Sequence, residues 1–526
     1  MTKIVIRHFR IQIFGTHEFL NSIFVLKFTE LNPFRKLIGD TAIYGVSSIV
    51  GRFLNWWLVP YYTDLFLPEE YGVVTNLYAY VAFLLVILTY GMETGYFRFA
   101  SRSKDPDKVY STSQVSLFVT TILFLFIAIV FRNQIAILIG YPDFPEYIWL
   151  LATIVAIDAF TSIPFARLRL DNRPLKFAFI KMVNIGLNIG FNLFFLSLCP
   201  WILRHYPENP VRYIYSPEIG VGYVFIANLL ASFSTLVLLR NEILQMRFSI
   251  DKELLKTMLR YSFPILVIGV AGMVNQNIDK ILIPFLVPES QNPMFQVGIY
   301  GANYKLAVLM NMFIQAFRYA FEPFFFSRSS DDDSQDPQLY ATIMKYFLIF
   351  GMLIFLGMTL YIDLIKVVAI DVRYHEGLKI VPIILIANLF FGIFFSLSIW
   401  FKLKDMTRYG SYIALIGAAI TLVLNIVLIP RMGYLGSAIA VLVCFMVMMV
   451  ITYLWGQKYY FIPYDLKRMA IYFFSGLILY FISFLFNDFS LLIKMLLNTG
   501  LFITFLMIMF RLEKQEIFQI LKRNKG

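Results

Sequence analysis

The sequence predicts an all-α integral membrane protein of about fourteen transmembrane helices, in two six-helix lobes with a parallel pseudo-twofold repeat, followed by two C-terminal helices. Three observations predict this fold. Of 526 residues, 59% are hydrophobic and only 15% are charged, whereas about 25% of the residues of a soluble protein are charged. Long apolar segments recur along the chain, and similar short motifs occur in the same order in both halves.

The apolar segments are long enough to cross a bilayer as helices, since about 20 residues with a rise of 1.5 Å each span the ~30 Å hydrocarbon core. The fourteen segments are 37–62, 71–97, 110–131, 147–168, 175–199, 219–240, 260–287, 297–326, 340–362, 378–401, 409–429, 434–456, 466–486 and 489–510. Most of the 45 Lys and Arg residues fall in the connections that are cytoplasmic when the N-terminus is inside. The positive-inside rule therefore predicts that orientation, and an even number of spans places both termini in the cytoplasm.

The repeat is visible as three pairs of motifs in the same order in the two halves. They are RLRLDNR (167–173) with KLKDMTR (402–408), YGVVTNLY (71–78) with VGIYGANY (297–304), and GVGYVFIA (220–227) with YLGSAIAV (434–441). The second pair aligns Gly72 with Gly298. The offset changes only across loops of different length. Because each half holds six spans, an even number, the halves have parallel topology and are related by an axis along the membrane normal.

The predicted boundaries follow from these spans. They are 1–34 for an N-terminal cytoplasmic tail, 35–250 for the N-lobe with spans 1–6, 251–457 for the C-lobe with spans 7–12, 458–512 for spans 13–14, and 513–526 for a basic cytoplasmic tail. Charges interrupt the apolar residues of the first 30 positions, and no small-residue cleavage site follows, so a signal peptide is not predicted. One interpretation is a disordered or interfacial tail. Another hypothesis is that native translation starts at Leu31.

The first span, TAIYGVSSIVGRFLNWWLVPYY, carries an arginine near its centre, Arg52. An arginine at this depth costs roughly 2.5–3.5 kcal/mol on insertion scales. Thr41, Gly45, Ser48, Arg52 and Asn55 recur at spacings of three and four, which places them on one helical face. A stripe of small and polar residues can mean tight helix packing, but packing alone does not explain a central arginine.

Further charged residues lie within other predicted spans. Asp279 and Lys280 belong to the seventh span, Lys305 to the eighth and Lys181 to the fifth; for Lys181, snorkelling to the interface is the alternative. With Arg52 and Asn55, they form the candidate binding set of a cavity between the lobes. The set is net basic, and an arginine binds phosphate bidentately while a lysine acts as a point charge. We therefore expect an anionic cargo.

Several classes of function are not expected from this sequence. The four histidines fall outside the predicted spans and there are only two cysteines, so no metal site is predicted. No GxxxxGK[ST] loop for nucleotide phosphates occurs. The acidic residues of the external loops form no catalytic constellation, and no enzyme or cofactor is predicted. The net charge of +12 is a topology signal directed at anionic membrane lipid, and nucleic acid is not an expected partner.

Three stretches resemble a known family. They are GRFLNWWLVPYYTDLFLPEEYGVVTNLYAY (51–80), RLRLDNRPLKFAFIKMVNIGLNIGFNL (167–193) and DKILIPFLV with VGIYGANYKLA (279–307). Together they resemble the polysaccharide-biosynthesis flippases of the multidrug/oligosaccharidyl-lipid/polysaccharide exporter superfamily, over about residues 31–512. The resemblance implies a V-shaped, two-lobed bundle that moves polyprenyl-diphosphate-linked oligosaccharide between the leaflets of the bacterial inner membrane by alternating access. It also implies that basic cavity residues, here Arg52, Lys280 and Lys305, face the diphosphate and sugars.

Three other functions remain as alternatives. A lipid II flippase for peptidoglycan has the same fold and similar chemistry, and in such relatives the two extra helices border a groove for the lipid tail. A cation-coupled drug antiporter would favour a carboxylate-dominated cavity. A membrane glycan polymerase would need catalytic carboxylates or histidines, generally on a substantial external loop. The sequence leaves open the glycan, the lipid carrier, Na⁺ or H⁺ as coupling ion, and contacts with glycan-assembly proteins.

Overall fold

The computed structural model describes residues 50–51, 53–54, 56–328, 337–404 and 406–523, and they contain helices and no strand. The predicted tail at 1–34 lies outside the described residues. The main helices of the N-lobe are α1 (residues 56–65), α2 (Pro68–Thr89), α3 (Met92–Ala100), α4 (Pro106–Val130), α5 (Glu146–Leu170), α6 (Pro174–Leu193) and α7 (Gly222–Leu238). Two short helices, Arg132–Leu138 and Arg240–Ile243, follow α4 and α7. A π-turn, Phe194–Leu198, and a short helix, Cys199–His205, continue α6.

The C-lobe and the two last helices follow. The main ones are α8 (Lys252–Leu286), α9 (Pro293–Leu306), α10 (Val308–Arg328), α11 (Pro337–Leu360), α12 (Val381–Leu397), α13 (Arg408–Met432), α14 (Tyr434–Tyr459), α15 (Leu466–Ser483) and α16 (Leu491–Arg523). Two short helices, Ile362–Ala369 and Ile399–Leu403, follow α11 and α12. Helix α16 begins near the predicted start of the last span but runs on to Arg523. The predicted tail from 513 therefore starts inside a helix, and Glu513 is buried there.

Among the described residues, eleven helices combine the length and apolar composition needed to cross a bilayer, so the chain is a multi-pass membrane protein. The count of fourteen stays a prediction. Most of the first predicted span lies outside the described residues, and α7, in the sixth span, has 17 residues. The eighth predicted span is divided into α9 and α10 at Ala307, whose N–H bonds to the carbonyl of Tyr304, three residues back, at 3.1 Å. Such a bond closes a 3₁₀-type turn, which interrupts the α-helical pattern.

Each lobe packs around one strongly buried helix. Helix α5 lies against α2, α4 and α7 in the N-lobe, and α12 lies against α11 and α14 in the C-lobe. The largest hydrophobic cluster continues from one lobe to the other, with Leu77 and Ile154 on the N-lobe side and Leu306 and Ile384 on the C-lobe side. The lobes are therefore joined by a shared core over part of their length.

The closest approach of the lobes is the crossing of α2 and α9. A Cβ added to Gly72 would lie 2.1 Å from the carbonyl oxygen of Met294, and one added to Gly298 would lie 1.8 Å from that of Pro68. Both distances are far shorter than any real carbon–oxygen contact, so only glycine allows the two backbones to touch here. One turn further along, a Cβ on Gly301 would lie 2.4 Å from Oγ1 of Thr75.

The end of the bundle that carries residues 66–67, 287–292 and 371–380 is the predicted external end, and polar contacts join the lobes there. Arg373 donates to the carbonyls of Thr63 at 2.9 Å and Asp64 at 2.7 Å. These carbonyls are among those left free at the end of α1, where a cation is favoured. The hydroxyl of Tyr374 donates to the carbonyl of Phe66 at 2.9 Å. The predicted external ends of the lobes, called the external ends from here on, are thus held together.

The last two helices, α15 and α16, pack on α11 of the C-lobe. A buried ionic contact fixes them: Nζ of Lys345 on α11 lies 2.6 Å from the Glu513 carboxylate on α16. The hydroxyl of Tyr472 on α15 donates to the same carboxylate at 2.6 Å. Since all three side chains are almost fully buried, this contact ties the three helices at one point.

Candidate functional site

Two of the predicted site residues, Arg52 and Asn55, lie outside the described residues. Trp56, which follows them in the chain, does have a described contact. Its indole N–H donates to the backbone carbonyl of Lys305 at 2.9 Å. Helix α1 therefore meets the C-terminal turn of α9, so the first helix of one lobe lies against the second helix of the other.

Asp279 and Lys280 lie on α8 in the half nearer the predicted external end, since Lys280 is six residues, or about 9 Å, from the last residue of the helix. Both are buried, with exposed fractions of 1% and 9%. Nζ of Lys280 donates to Oδ1 of Asp279 at 3.1 Å and to the carbonyl of Gln276 at 2.9 Å. The two opposite charges thus neutralise each other in a site with little water, which a lone buried charge would not tolerate.

Two tyrosines of α9 complete this group. Nζ of Lys280 lies 4.5 Å from the ring centroid of Tyr304 and 5.6 Å from that of Tyr300. The hydroxyl of Tyr300 donates to the second carboxylate oxygen of Asp279. A ring face stabilises an ammonium ion through the quadrupole of its π-system, so α9 supports both the cation and the anion of α8.

The N-lobe contacts the same place through α2. The side-chain amide of Asn76 donates to the backbone carbonyl of Lys280 at 2.7 Å, and the hydroxyl of Tyr141 donates to the amide oxygen of Asn76 at 2.9 Å. All of these polar groups are buried. The environment of Lys280 is therefore built from both lobes.

The other two lysines of the predicted set have exposed side chains. Lys305 is at the C-terminal end of α9. Lys181 lies on α6 in the N-lobe, with Nζ 4.1 Å from the ring centroid of Phe165 on α5. On the same helix α5, Asp158 accepts a hydrogen bond from the hydroxyl of Ser232 at 2.9 Å.

The structure thus brings together part of the predicted set. Asp279 and Lys280 form one cluster, and Lys305 is one residue after Tyr304, which belongs to it. Lys181 contacts a different group of helices, in the N-lobe. Sequence reasoning missed Tyr300, Tyr304, Asn76 and Tyr141 as partners of this cluster. The only available signal was that the motifs YGVVTNLY and VGIYGANY, which contain three of these residues, repeat between the halves.

The cluster offers charged and hydrogen-bonding groups that can bind an ion. Within the part of the chain that the structure describes, no three His, Cys, Asp or Glu side chains are grouped as they would be around a metal ion. Lys280 offers a positive charge at the boundary of the lobes, with Asp279 as its present counter-ion. An incoming anion would have to compete with this carboxylate for the ammonium group.

Comparisons with known proteins agree with the architecture. Residues 37–328 match the family described as polysaccharide biosynthesis protein. No curated protein sequence matches the chain.

Among solved structures, the lipid II flippase MurJ in an inward closed conformation is similar, with a TM-score of 0.67 and 14% identity over 89% of this chain and 98% of that one. An inward-facing multidrug resistance transporter of the MATE family, in the MOP superfamily, is similar with a TM-score of 0.60 and 13% identity, over 80% of this chain and 94% of that one. The MATE multidrug transporter DinF-BH has a TM-score of 0.58 and 14% identity, over 82% of this chain and 96% of its own. This fold is therefore one that flippases and drug transporters share.

Proposed function

Because this chain belongs to the family of polysaccharide biosynthesis proteins, we propose that it is a flippase for polyprenyl-diphosphate-linked oligosaccharide. It moves this lipid from the cytoplasmic to the external leaflet of the bacterial inner membrane by alternating access, for cell-surface polysaccharide biosynthesis. Both termini are cytoplasmic in this proposal. The chain is a multi-pass membrane protein with a fold that lipid-linked flippases and transporters share, and the substrate and orientation are the parts that we propose.

The observation that carries the proposal is the position of Lys280. Lys280 is buried within a membrane helix at the boundary between the lobes. Its ammonium group contacts Asp279 and Tyr304 of the C-lobe, and its backbone carbonyl accepts a hydrogen bond from Asn76 of the N-lobe. An intramembrane cation of this kind is expensive and is generally functional. We assign Lys280, with Arg52 and Lys305, to the diphosphate, and Asn55 and Lys181 to further polar contacts with the cargo. Asp279 holds Lys280 when no cargo is present.

The physical need for such a protein is plain. A diphosphate and a sugar chain lose their water when they enter hydrocarbon, and nothing there replaces it. A hydrated basic cavity supplies hydrogen bonds and counter-charges while the polyprenyl tail stays in lipid. No covalent bond changes, so the process requires no enzyme. The joined external ends of the lobes fit a conformation that receives its cargo from the cytoplasmic leaflet.

A lipid II flippase is the second candidate, supported by the similarity to MurJ over 98% of the length of that structure. Lipid II is also a polyprenyl-diphosphate-linked glycan, so the same basic residues would serve. Which glycan is carried depends on contacts with its sugars. The drug transporters share the fold at lower TM-scores, but the basic candidate set does not suit a cationic drug. Na⁺ or H⁺ as coupling ion and contacts with glycan-assembly proteins are further parts of the proposal.

The experiment is depletion of the protein in its native host, followed by mass spectrometry of polyprenyl-linked intermediates. We expect one diphosphate-linked glycan to accumulate, and its identity separates the two candidates. Expression of the wild-type protein should return the accumulated glycan to its normal level, and expression of Arg52→Ala should not. Arg52→Lys should lower the accumulation only in part, because lysine lacks the bidentate geometry of arginine. An unchanged pool after verified depletion, with no redundant transporter present, would contradict the proposal and favour the drug transporter.

A further inference from the structure

Helix α8 contains a proline, Pro284, four residues after Lys280. In an α-helix the carbonyl of residue i accepts a hydrogen bond from the N–H of residue i+4. Proline has no N–H, so the carbonyl of Lys280 loses its partner within the helix. A buried carbonyl without a partner is costly, and the great majority of such groups find one elsewhere.

The missing partner comes from the other lobe. The side-chain amide of Asn76, on α2, donates to the Lys280 carbonyl at 2.7 Å. The direction of this bond is fixed by chemistry, because a carbonyl can only accept. Tyr141 donates its hydroxyl to the amide oxygen of Asn76 at 2.9 Å and so holds the amide group in this orientation. Asn76 is 1% exposed and Tyr141 is 5% exposed, so water does not compete.

The N-lobe contains a second example of this arrangement, with one difference. Pro164 in α5 frees the carbonyl of Phe160, and the side-chain amide of Gln114 on α4 donates to it at 3.1 Å. Both helices of this pair belong to the same lobe. A relative movement of the lobes would leave the Gln114 bond intact and would separate Asn76 from Lys280.

We propose that Asn76 is a latch that stabilises the conformation with joined external ends. Its bond with the Lys280 carbonyl exists only when α2 and α8 are in contact. When the lobes separate externally, the amide and the carbonyl must both find water instead. The proposal rests on the alternating access of the proposed function. The latch is one-sided, because the residue of the second half that is equivalent to Asn76 in the sequence repeat is Ala302, and alanine has no side-chain amide to donate.

The test measures the separation of the external ends directly. Spin labels are placed on Asp143→Cys in the N-lobe and Arg431→Cys in the C-lobe, both exposed near the predicted external end. Cys199 and Cys444, which are buried, are replaced by serine and alanine. The distance distribution between the labels is recorded for the full chain in lipid nanodiscs, without any cargo.

Asn76→Leu has nearly the size of the native side chain and cannot donate, and Asn76→Ala is the second variant. A hydrogen bond between membrane helices contributes modestly, so we expect the ratio of separated to joined ends to rise about three- to tenfold in both. Tyr141→Phe should give a smaller rise. Gln114→Leu, the matched control, should leave the ratio unchanged. Pro284→Ala restores an N–H to α8, so Asn76→Leu should have a smaller effect in that background.

An unchanged ratio in folded Asn76→Leu would overturn the proposal, as would an equal shift in Gln114→Leu. A full effect of Asn76→Leu in the Pro284→Ala background would also overturn it, because the freed carbonyl would then be irrelevant. The label distances do not depend on what is carried. The Asn76 variants could shift the ratio of separated to joined ends while depletion of the protein leaves every lipid-linked glycan unchanged. That result would support the latch and contradict the proposed cargo.

Discussion

Gly72 and Gly298 occupy equivalent positions of the two halves and lie against each other where α2 and α9 cross. The contact is reciprocal. A Cβ on Gly72 would meet the carbonyl of Met294, four residues before Gly298, and a Cβ on Gly298 would meet the carbonyl of Pro68, four residues before Gly72. The pseudo-twofold axis inferred from the sequence repeat therefore passes between these two glycines.

We expect Gly72→Ala and Gly298→Ala to weaken the joined external ends. The added methyl group meets backbone, which cannot move aside as a side chain can, and overpacking costs about 1–3 kcal/mol or more. Both variants should lower the thermal stability of the protein in detergent and widen the distance between the external labels. Gly357→Ala on α11 is the control, because a Cβ there meets nothing within 4 Å. Equal stability of all three variants would contradict this packing.

Single and double variants of Asp279 and Lys280 can separate the role of this pair in stability from its role in transport. Lys280→Met alone leaves a buried carboxylate without its cation, which typically costs about 3–5 kcal/mol. Lys280→Met with Asp279→Asn removes both charges and should recover most of the thermal stability. We expect the double variant to stay inactive in transport, measured in reconstituted vesicles with a lipid-linked glycan. Transport at the wild-type rate would show that the lysine serves only the fold.

The buried contact between Lys345 and Glu513 predicts that the packing of α16 depends strongly on this ion pair. Lys345→Met leaves Glu513 with a longer ionic contact, to Arg468 at 3.7 Å, and should destabilise the protein by up to about 3–5 kcal/mol. Lys345→Met with Glu513→Leu removes both charges of the buried pair and should cost less, because no buried carboxylate remains. The comparison is Lys379→Met, whose partner Glu376 is exposed and 3.8 Å away. Exposed pairs contribute at most about 1 kcal/mol. Limited proteolysis near the C-terminus measures the loosening of α16.

Asp371 gives the external contacts a pH dependence. Burial acts to raise its pKa, but the hydrogen bonds and charge of Arg373 outweigh this and hold the pKa below the ordinary value of 3.8. A lowered pKa stabilises the folded state fully above pH 3.8, and the contribution is lost as the pH falls through the lowered value. Asp371→Asn should therefore lower thermal stability at pH 7 and make it less sensitive to acid. A wild-type acid response in this variant would argue against the interaction.

Much of the fold could be predicted because membrane helices need long apolar segments and because the halves repeat. The interruption of the helix at Ala307 could not be predicted. Alanine has the highest helix propensity, and no proline or glycine at this position signals the end of a helix. The position of Glu513 was also missed. It was placed in the predicted basic tail at 513–526, whereas its partners Lys345 and Tyr472 lie 168 and 41 residues away along the chain.

The candidate site was predicted in part. The sequence placed Lys280 within a predicted span, and the structure buries it at the boundary between the lobes. Its neighbour along the chain, Asp279, was included in the set, but the bond from Asn76 crosses 204 residues. No periodicity signals such a distant partner. The binding roles of all six residues, Arg52, Asn55, Lys181, Asp279, Lys280 and Lys305, stay predictions.

The reciprocal glycine contact has a consequence for how the two halves can diverge. An interface in which residue i meets j while j meets i is the isologous contact of a twofold homodimer. Here both partners are on one chain, as if a dimer had been fused end to end. A bulkier residue at position 72 encroaches on the same crossing as one at 298, so neither position can change freely while the other keeps its contact. Two stretches 226 residues apart therefore vary under a single steric constraint.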